Sequence, residues 1–188
     1  LFLENIDKVP FVDETWRDRL TGEVHFLNAY FYHNLVRQNG GVPLVTKVYG
    51  LQDDFLIARS SLDESIQYIV DECDLAASLL PLSFGAGSSD IGRATKGAAL
   101  ALKSRILLYA ASELYNNPAW AGGYANPELI SSAGSRTAKW QAAKDAAKAV
   151  MDLGIYSLQN TGNPMKDYTD LFLLKDSKEA IFSRYFIK

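Results

Sequence analysis

Apolar residues recur at steps of three and four through the first part of this sequence. Leu20, Val24, Leu27, Phe31 and Leu35 form one stripe at helical spacing, while Phe26 and Tyr30 mark a second on the adjoining face. A helix with two apolar faces belongs inside a layered all-helical body. The pattern predicts one long helix over Asp13 to Asn39, capped by Asp13 or Thr15 and open to interruption near Gly22. Gly40 or Gly41 suits the left-handed turn that ends it, and Val42-Pro43 predicts an extended exit because proline crowds the residue before it.

Thr46 to Ser60 has Gly50, paired Asp53 and Asp54 and no sustained period, which predicts a surface loop. Ser61 and Glu64 then have capping-box spacing, so a second helix starts here. Its buried face should carry Leu62, Ile66, Ile69, Cys73, Ala76 and Leu80, with Pro81 closing the segment. Leu82 to Gly92, holding Gly85, Gly87, Ser88, Ser89 and Asp90, has the composition of a mobile loop. Thr95 should cap a third helix running to about Tyr115, striped by Ala98, Leu102, Ile106 and Tyr109. Arg93 and Lys96 bracket its start, where positive charge is disfavoured. One of them is therefore expected to reach an acid on the preceding helix, with Asp71, Glu72 and Asp74 as candidates.

Asn116 to Arg136 is a long loop rich in Gly, Asn, Pro and Ser, and loops of this length are usually functional or disordered. Thr137 should cap a fourth helix striped by Trp140, Ala143, Ala147, Val150 and Met151, with Gly154 at its C′ position. A short helical piece around Asp167 to Leu173 and a strand from Glu179 to Phe186 complete the prediction. The fold class is mainly all-α, in one domain over 1–188. An Ala-rich helix bearing Tyr109, followed by a Trp140-x-x-Ala helix, has the small-large alternation of tetratricopeptide-like hairpins, with long inserted loops displacing the usual period.

A hydrophobic share of 48% in 188 residues excludes a wholly disordered chain. The net charge of −3, with acids and bases intermixed, gives no basic stripe for nucleic acid. The longest apolar run, Ile106 to Ala111, falls far short of the ~20 residues that span a bilayer. Cys73, the single cysteine, occupies an apolar helical position and reads as a small packed hydrophobe.

No catalytic constellation, metal site or cofactor motif emerges. His25 and His33 stand about two turns apart on one helix, too far for a zinc pair on consecutive turns, and no Gly-x-Ser-x-Gly elbow or Walker loop is present. Asp53, Asp54, Glu64, Glu113 and Asp170 are acids a glycosidase could pair, although most fall at caps, loops or solvated faces. Sugar binding needs exposed aromatic rings beside amides and carboxylates. The loop carrying Tyr115, Trp120, Tyr124 and Asn126, with Asn116 and Asn117, is the best local candidate, and the bland alternative is that Trp120 anchors the loop by packing under it.

The helix rich in Ala and Tyr that runs through Arg37 into Gly40-Gly41-Val42-Pro43-Leu44 resembles the SusD/RagB family of surface glycan-binding lipoproteins. Further matches follow in the family's order: Ala58-Arg59-Ser60-Ser61, Leu79-Leu80-Pro81, Gly92-Arg93-Ala94-Thr95-Lys96-Gly97-Ala98-Ala99, Trp140-Gln141-Ala142-Ala143 with Gly154-Ile155-Tyr156-Ser157-Leu158, Tyr168-Thr169-Asp170-Leu171-Phe172 and Glu179-Ala180-Ile181-Phe182. Asn28 stands where members usually carry a basic residue. The resemblance implies tetratricopeptide-like helix pairs and capture of an oligo- or polysaccharide without catalysis. It also implies a SusC-like TonB-dependent transporter as partner and an outer-membrane, cell-surface location through a lipid anchor that this chain lacks, so that the chain would be an internal piece of a longer protein. It carries over no sugar-facing residue. The competing readings are a helical-repeat adaptor for protein segments and a glycoside hydrolase domain.

Overall fold

A computed structural model describes residues 1–85, 88–174 and 177–183, and among these the regular structure is entirely helical. A single turn, α1 (Phe2–Asn5), and a 3-10 turn at Ile6–Lys8 lead into α2 (Glu14–Asn39). Then come α3 (Leu62–Leu79), α4 (Lys96–Ala111), the short α5 (Pro118–Ala121), α6 (Arg136–Met151) and α7 (Pro164–Leu173). No helix among the described residues is long and apolar enough to cross a membrane.

Consecutive long helices pack side by side in the order α2, α3, α4, α6. Cross-links at both ends make neighbours antiparallel: Gly22 lies against Leu79 and Leu80, while the Val42 amide donates to Ser65 Oγ at 3.2 Å. The Lys96 amide donates to Pro81 O at 2.9 Å, joining the start of α4 to the end of α3. This is the stacked hairpin arrangement of a tetratricopeptide-like body.

Asp13 caps α2, its Oδ1 accepting from the Thr15 amide at 2.9 Å, and the helix runs unbroken through Gly22. Its buried stripe is Gly22, Phe26, Ala29, His33 and Val36. The stripe expected from Leu20, Val24, Leu27, Phe31 and Leu35 is corrected: Leu27, Phe31 and Leu35 are exposed, as is Tyr30, while Leu20 and Val24 are half-buried. Close approach decides this. A Cβ on Gly22 would meet Leu79 Cβ at 3.0 Å, so a small residue lets α3 seat at this point, and the helix turn that brings Gly22 inward carries Leu27, Phe31 and Leu35 outward.

Gly40 ends α2 with φ 75°, and Val42 to Val45 has no regular structure. Arg59 reaches back to this end, Nη2 donating to Asn39 O at 2.6 Å, a carbonyl that the helix leaves open, and Nε to Gly41 O at 2.8 Å just beyond the cap. The capping box at Ser61 and Glu64 is formed, and the whole expected face of α3 is buried. Burial pushes the Cys73 thiol up to about 12, with Asp74 adding to the rise.

Thr95 caps α4, which ends at Ala111 and not near Tyr115, because Ser112 turns extended and a 3-10 turn follows at Leu114–Asn116. The cap of α6 is Ser135 and not Thr137, and its buried residues are Ala143 and Ala146. Trp140, Ala147 and Met151 face outward, so the expected stripe holds only at Ala143 and, half-buried, at Val150. The final helix starts earlier than Asp167, with Asn163 as cap and Pro164 at its first position. The expected strand is absent over 179–183, where the backbone turns and bends; its remainder, like Gly87 of the expected loop, lies outside the described residues.

The acid that meets Arg93 is on α2 and not α3. Nε and Nη2 of Arg93 donate to Oε1 and Oε2 of Glu23 at 2.7 and 2.5 Å, with Asp90 beside them. Asp74 instead takes Lys103, and Glu72 faces His25 and Asn28.

Candidate functional site

The segment after α4 is anchored from below. Asn116 Nδ2 donates to Ala110 O at 2.6 Å and Ser112 O at 2.8 Å, closing the end of α4. Lys139 on α6 reaches Asn116 Oδ1 at 2.8 Å and Ser132 Oγ at 2.5 Å, and Asp63 at the start of α3 accepts from the Ala133 amide at 2.9 Å. Tyr115 is buried, and its carbonyl accepts from the Ser132 amide at 2.7 Å. The ring packs with the hydrophobic core and is 9% exposed. Burial raises its pKa.

On that base Asn117 Oδ1 accepts from the Ala119 amide at 3.0 Å and starts α5. Trp120 is 38% exposed and its indole Nε1 donates to Leu114 O at 3.0 Å, which holds the ring at the surface in one orientation. Tyr124, 57% exposed, meets it edge to face with ring centroids 5.8 Å apart. Asn126 is exposed at the start of the 3-10 turn Pro127–Leu129. Thus the loop brings Trp120 and Tyr124 together as an outward aromatic pair, with Asn126 exposed two positions on, while Tyr115 belongs to the core. Such a pair offers ring faces to apolar C–H surfaces while its polar tips stay wet.

The acids considered for catalysis have local work. Asp53 accepts from the Gly50 amide and Asp54 from the Leu56 amide, Glu64 completes the α3 cap, Glu113 pairs with Arg136 and Asp170 with Lys166. The two histidines part company. His25 Nδ1 lies 3.0 Å from Glu72 Oε2, whereas His33 is buried with its ring stacked on Tyr109. Burial, then Arg37 and Arg105, lowers the His33 pKa. Among the described residues no group of three or more His, Cys, Asp or Glu is placed to hold a metal ion.

Sequence reasoning missed two concave features. A cleft of about 400 Å³ lies between residues 82–95 and 177–183, with Phe84, Tyr156 and Phe182 on its walls. Its Arg93 and Thr95 are committed to Glu23 and to the α4 cap. A second, of about 360 Å³, lies between the N-terminal turn, α2, α3 and residues 45–47, and includes Asn28, Tyr68 and Glu72. The available signal was polar residues at helical spacing on two core-facing stripes, His25 with Asn28 and Tyr68 with Glu72.

A family model described as "Starch-binding associating with outer membrane", of SusD-like proteins, matches residues 1–108. A solved SusD-like protein from Bacteroides fragilis is 34% identical, with a TM-score of 0.76, over 98% of this chain and 30% of that one. A structure titled as a laminarin-binding SusD-like protein is 28% identical with a TM-score of 0.52, over 58% of this chain and 23% of its own. A SusD superfamily protein from Bacteroides fragilis, 18% identical with a TM-score of 0.67 over 96% of this chain and 32% of that one, shares the fold. The chain spans less than a third of the length of each of these three. No curated protein matches it.

Proposed function

This chain belongs to the SusD-like family, and from that premise we propose that it takes part in capturing an oligo- or polysaccharide at the cell surface without cleaving it. In this reading the glycan is handed to a SusC-like TonB-dependent transporter in the outer membrane, where a lipid anchor on the full-length protein holds the complex. The antiparallel helices serve as a stiff body, and the loops between them present the ligand surface.

The observation that carries the reading within this chain is the exposed pair of Trp120 and Tyr124, fixed by the indole bond to Leu114, with the exposed Asn126 two positions further along the same loop. We assign these three to ligand contact and Tyr115 to supporting them. The aromatic faces pack on a pyranose ring and the amide takes a hydroxyl. The laminarin bound by one relative and the starch of the family description supply the first glycans to try.

Affinity electrophoresis through gels containing starch, laminarin and a wider glycan panel tests the reading. Retardation by at least one glycan, with no reducing sugar released on incubation, is the expected result. Free migration through every gel rejects capture by this chain, and steady release of reducing ends rejects the non-catalytic assignment.

A further inference from the structure

The smaller cleft contains polar groups that the packing around it leaves unused. At about 360 Å³ it falls within the ~300–1,000 Å³ usual for small-molecule sites. Glu72 lies on its floor and is only 7% exposed. A carboxylate this deep is costly unless hydrogen bonds satisfy it. Its Oε2 accepts from Asn28 Nδ2 at 3.2 Å and stands 3.0 Å from His25 Nδ1. Its Oε1 has no hydrogen-bond partner among the described residues and is not sealed from solvent.

Two neighbours are in a similar position. Asn28 uses its amide nitrogen on Glu72 and on the Tyr68 hydroxyl, 3.2 Å away, and its carbonyl oxygen has no partner among the described residues. Tyr68 accepts that bond and keeps its own proton to donate. Burial, then Glu72 and Tyr32, pushes its pKa up to about 12, so the proton stays in place at neutral pH. Two acceptors and one donor therefore meet in one small space, with Phe2, Leu3, Val24 and Val45 on its walls.

This set discriminates among ligands. An apolar molecule would shut Glu72 Oε1 away without a partner, and an anion would face Glu72 and Glu4. A cation would meet Lys47 at the rim, and Glu72 already has His25 beside it. Adjacent hydroxyls on a sugar ring suit it, because each can donate to one group while accepting from another. We propose that this cleft is a subsite for one sugar unit, with Glu72 and Asn28 accepting from its hydroxyls and Tyr68 donating to one. The proposal rests on the glycan-capture reading but places a contact site on the opposite pair of helices from Trp120.

Calorimetric titration of the chain with maltohexaose and laminarihexaose tests it. Wild type is compared with Tyr68→Phe and Glu72→Gln, each first checked for cooperative thermal unfolding. Tyr68→Phe removes only a hydroxyl, so it keeps the test open if Glu72→Gln does not fold. Loss of one such hydrogen bond should weaken binding roughly threefold to tenfold, and bound sugar should shift the Asn28 side-chain amide resonances. Wild-type binding that Tyr68→Phe leaves unchanged, with Asn28 unshifted, overturns the subsite and leaves capture standing. Binding of neither glucan by wild type also overturns the subsite, while the wider panel decides capture separately.

Discussion

Tyr156 stands directly against Gly97: a Cβ added to that glycine would lie 2.0 Å from the phenolic oxygen and 2.7 Å from the ring carbons beside it. The contact joins the segment after α6 to the first turn of α4, and it explains a glycine where helix propensity alone would favour alanine. Gly97→Ala should therefore destabilise the chain by about 1–3 kcal/mol in urea titration, against the ~1 kcal/mol gain expected of an unobstructed helix position. Tyr156→Phe in the same chain should recover part of the loss, since it removes the nearest atom. A more stable Gly97→Ala protein would contradict the packing.

The two-pronged bond from Arg93 to Glu23 ties the start of α4 to α2 across the end of α3. Arg93 is 38% exposed, so water screens the pair and its coupling should be modest, about 1 kcal/mol in a double-mutant cycle. Arg93→Lys should recover only part of this because an ammonium cannot match both oxygens. Zero coupling would mean that the pair contributes only geometry.

His33 makes stability depend on pH. Burial first, then Arg37 and Arg105, lowers its pKa from the ordinary 6.5 in the folded chain. The unfolded chain therefore takes up the proton first as pH falls. Stability from this group is complete above pH 6.5 and declines as pH drops through 6.5 toward the lower folded value. Urea midpoints measured at neutral and mildly acidic pH should differ less in His33→Phe, which preserves a ring beside Tyr109. An identical pH slope in the two proteins would place the effect elsewhere.

Cys73 is fully buried and its thiol is pushed up to about 12. It should resist iodoacetamide at neutral pH in the folded chain and react promptly in concentrated urea. Rapid labelling without denaturant would show that α3 opens locally.

Tyr124→Ala should weaken glycan binding several-fold, in keeping with the ~0.5–1.5 kcal/mol of an aromatic contact. It is a cleaner probe than Trp120→Ala, which also removes the indole bond to Leu114. Unchanged retardation of Tyr124→Ala in a gel that slows the parent would take the loop out of the site.

Short-range chemistry was legible in the chain itself. Asp13, the Ser61–Glu64 box and Thr95 all act at the ends they mark, because a cap needs only residues within a turn of it. The face of α3 was readable for a related reason: that helix lies between α2 and α4, so nearly all its large apolar residues are covered. Trp120 and Tyr124 were visible as a loop pair for their residue types alone.

Partner choice was a different matter. Which face of α2 is buried depended on how closely α3 could approach, and Gly22, against Leu79 and Leu80, allowed it while Leu27 and Phe31 stayed exposed. The acid for Arg93 lay seventy positions away on α2, and the meeting of Asn28, Tyr68 and Glu72 likewise required two helices to come together. Local signals thus determined the long helices, the caps of α2, α3 and α4 and the family resemblance, since backbone hydrogen bonding and side-chain period act within a few residues. Only the tertiary structure decided the buried seams, the ion pairs and the clefts, because close packing and charge pairing are properties of surfaces in contact.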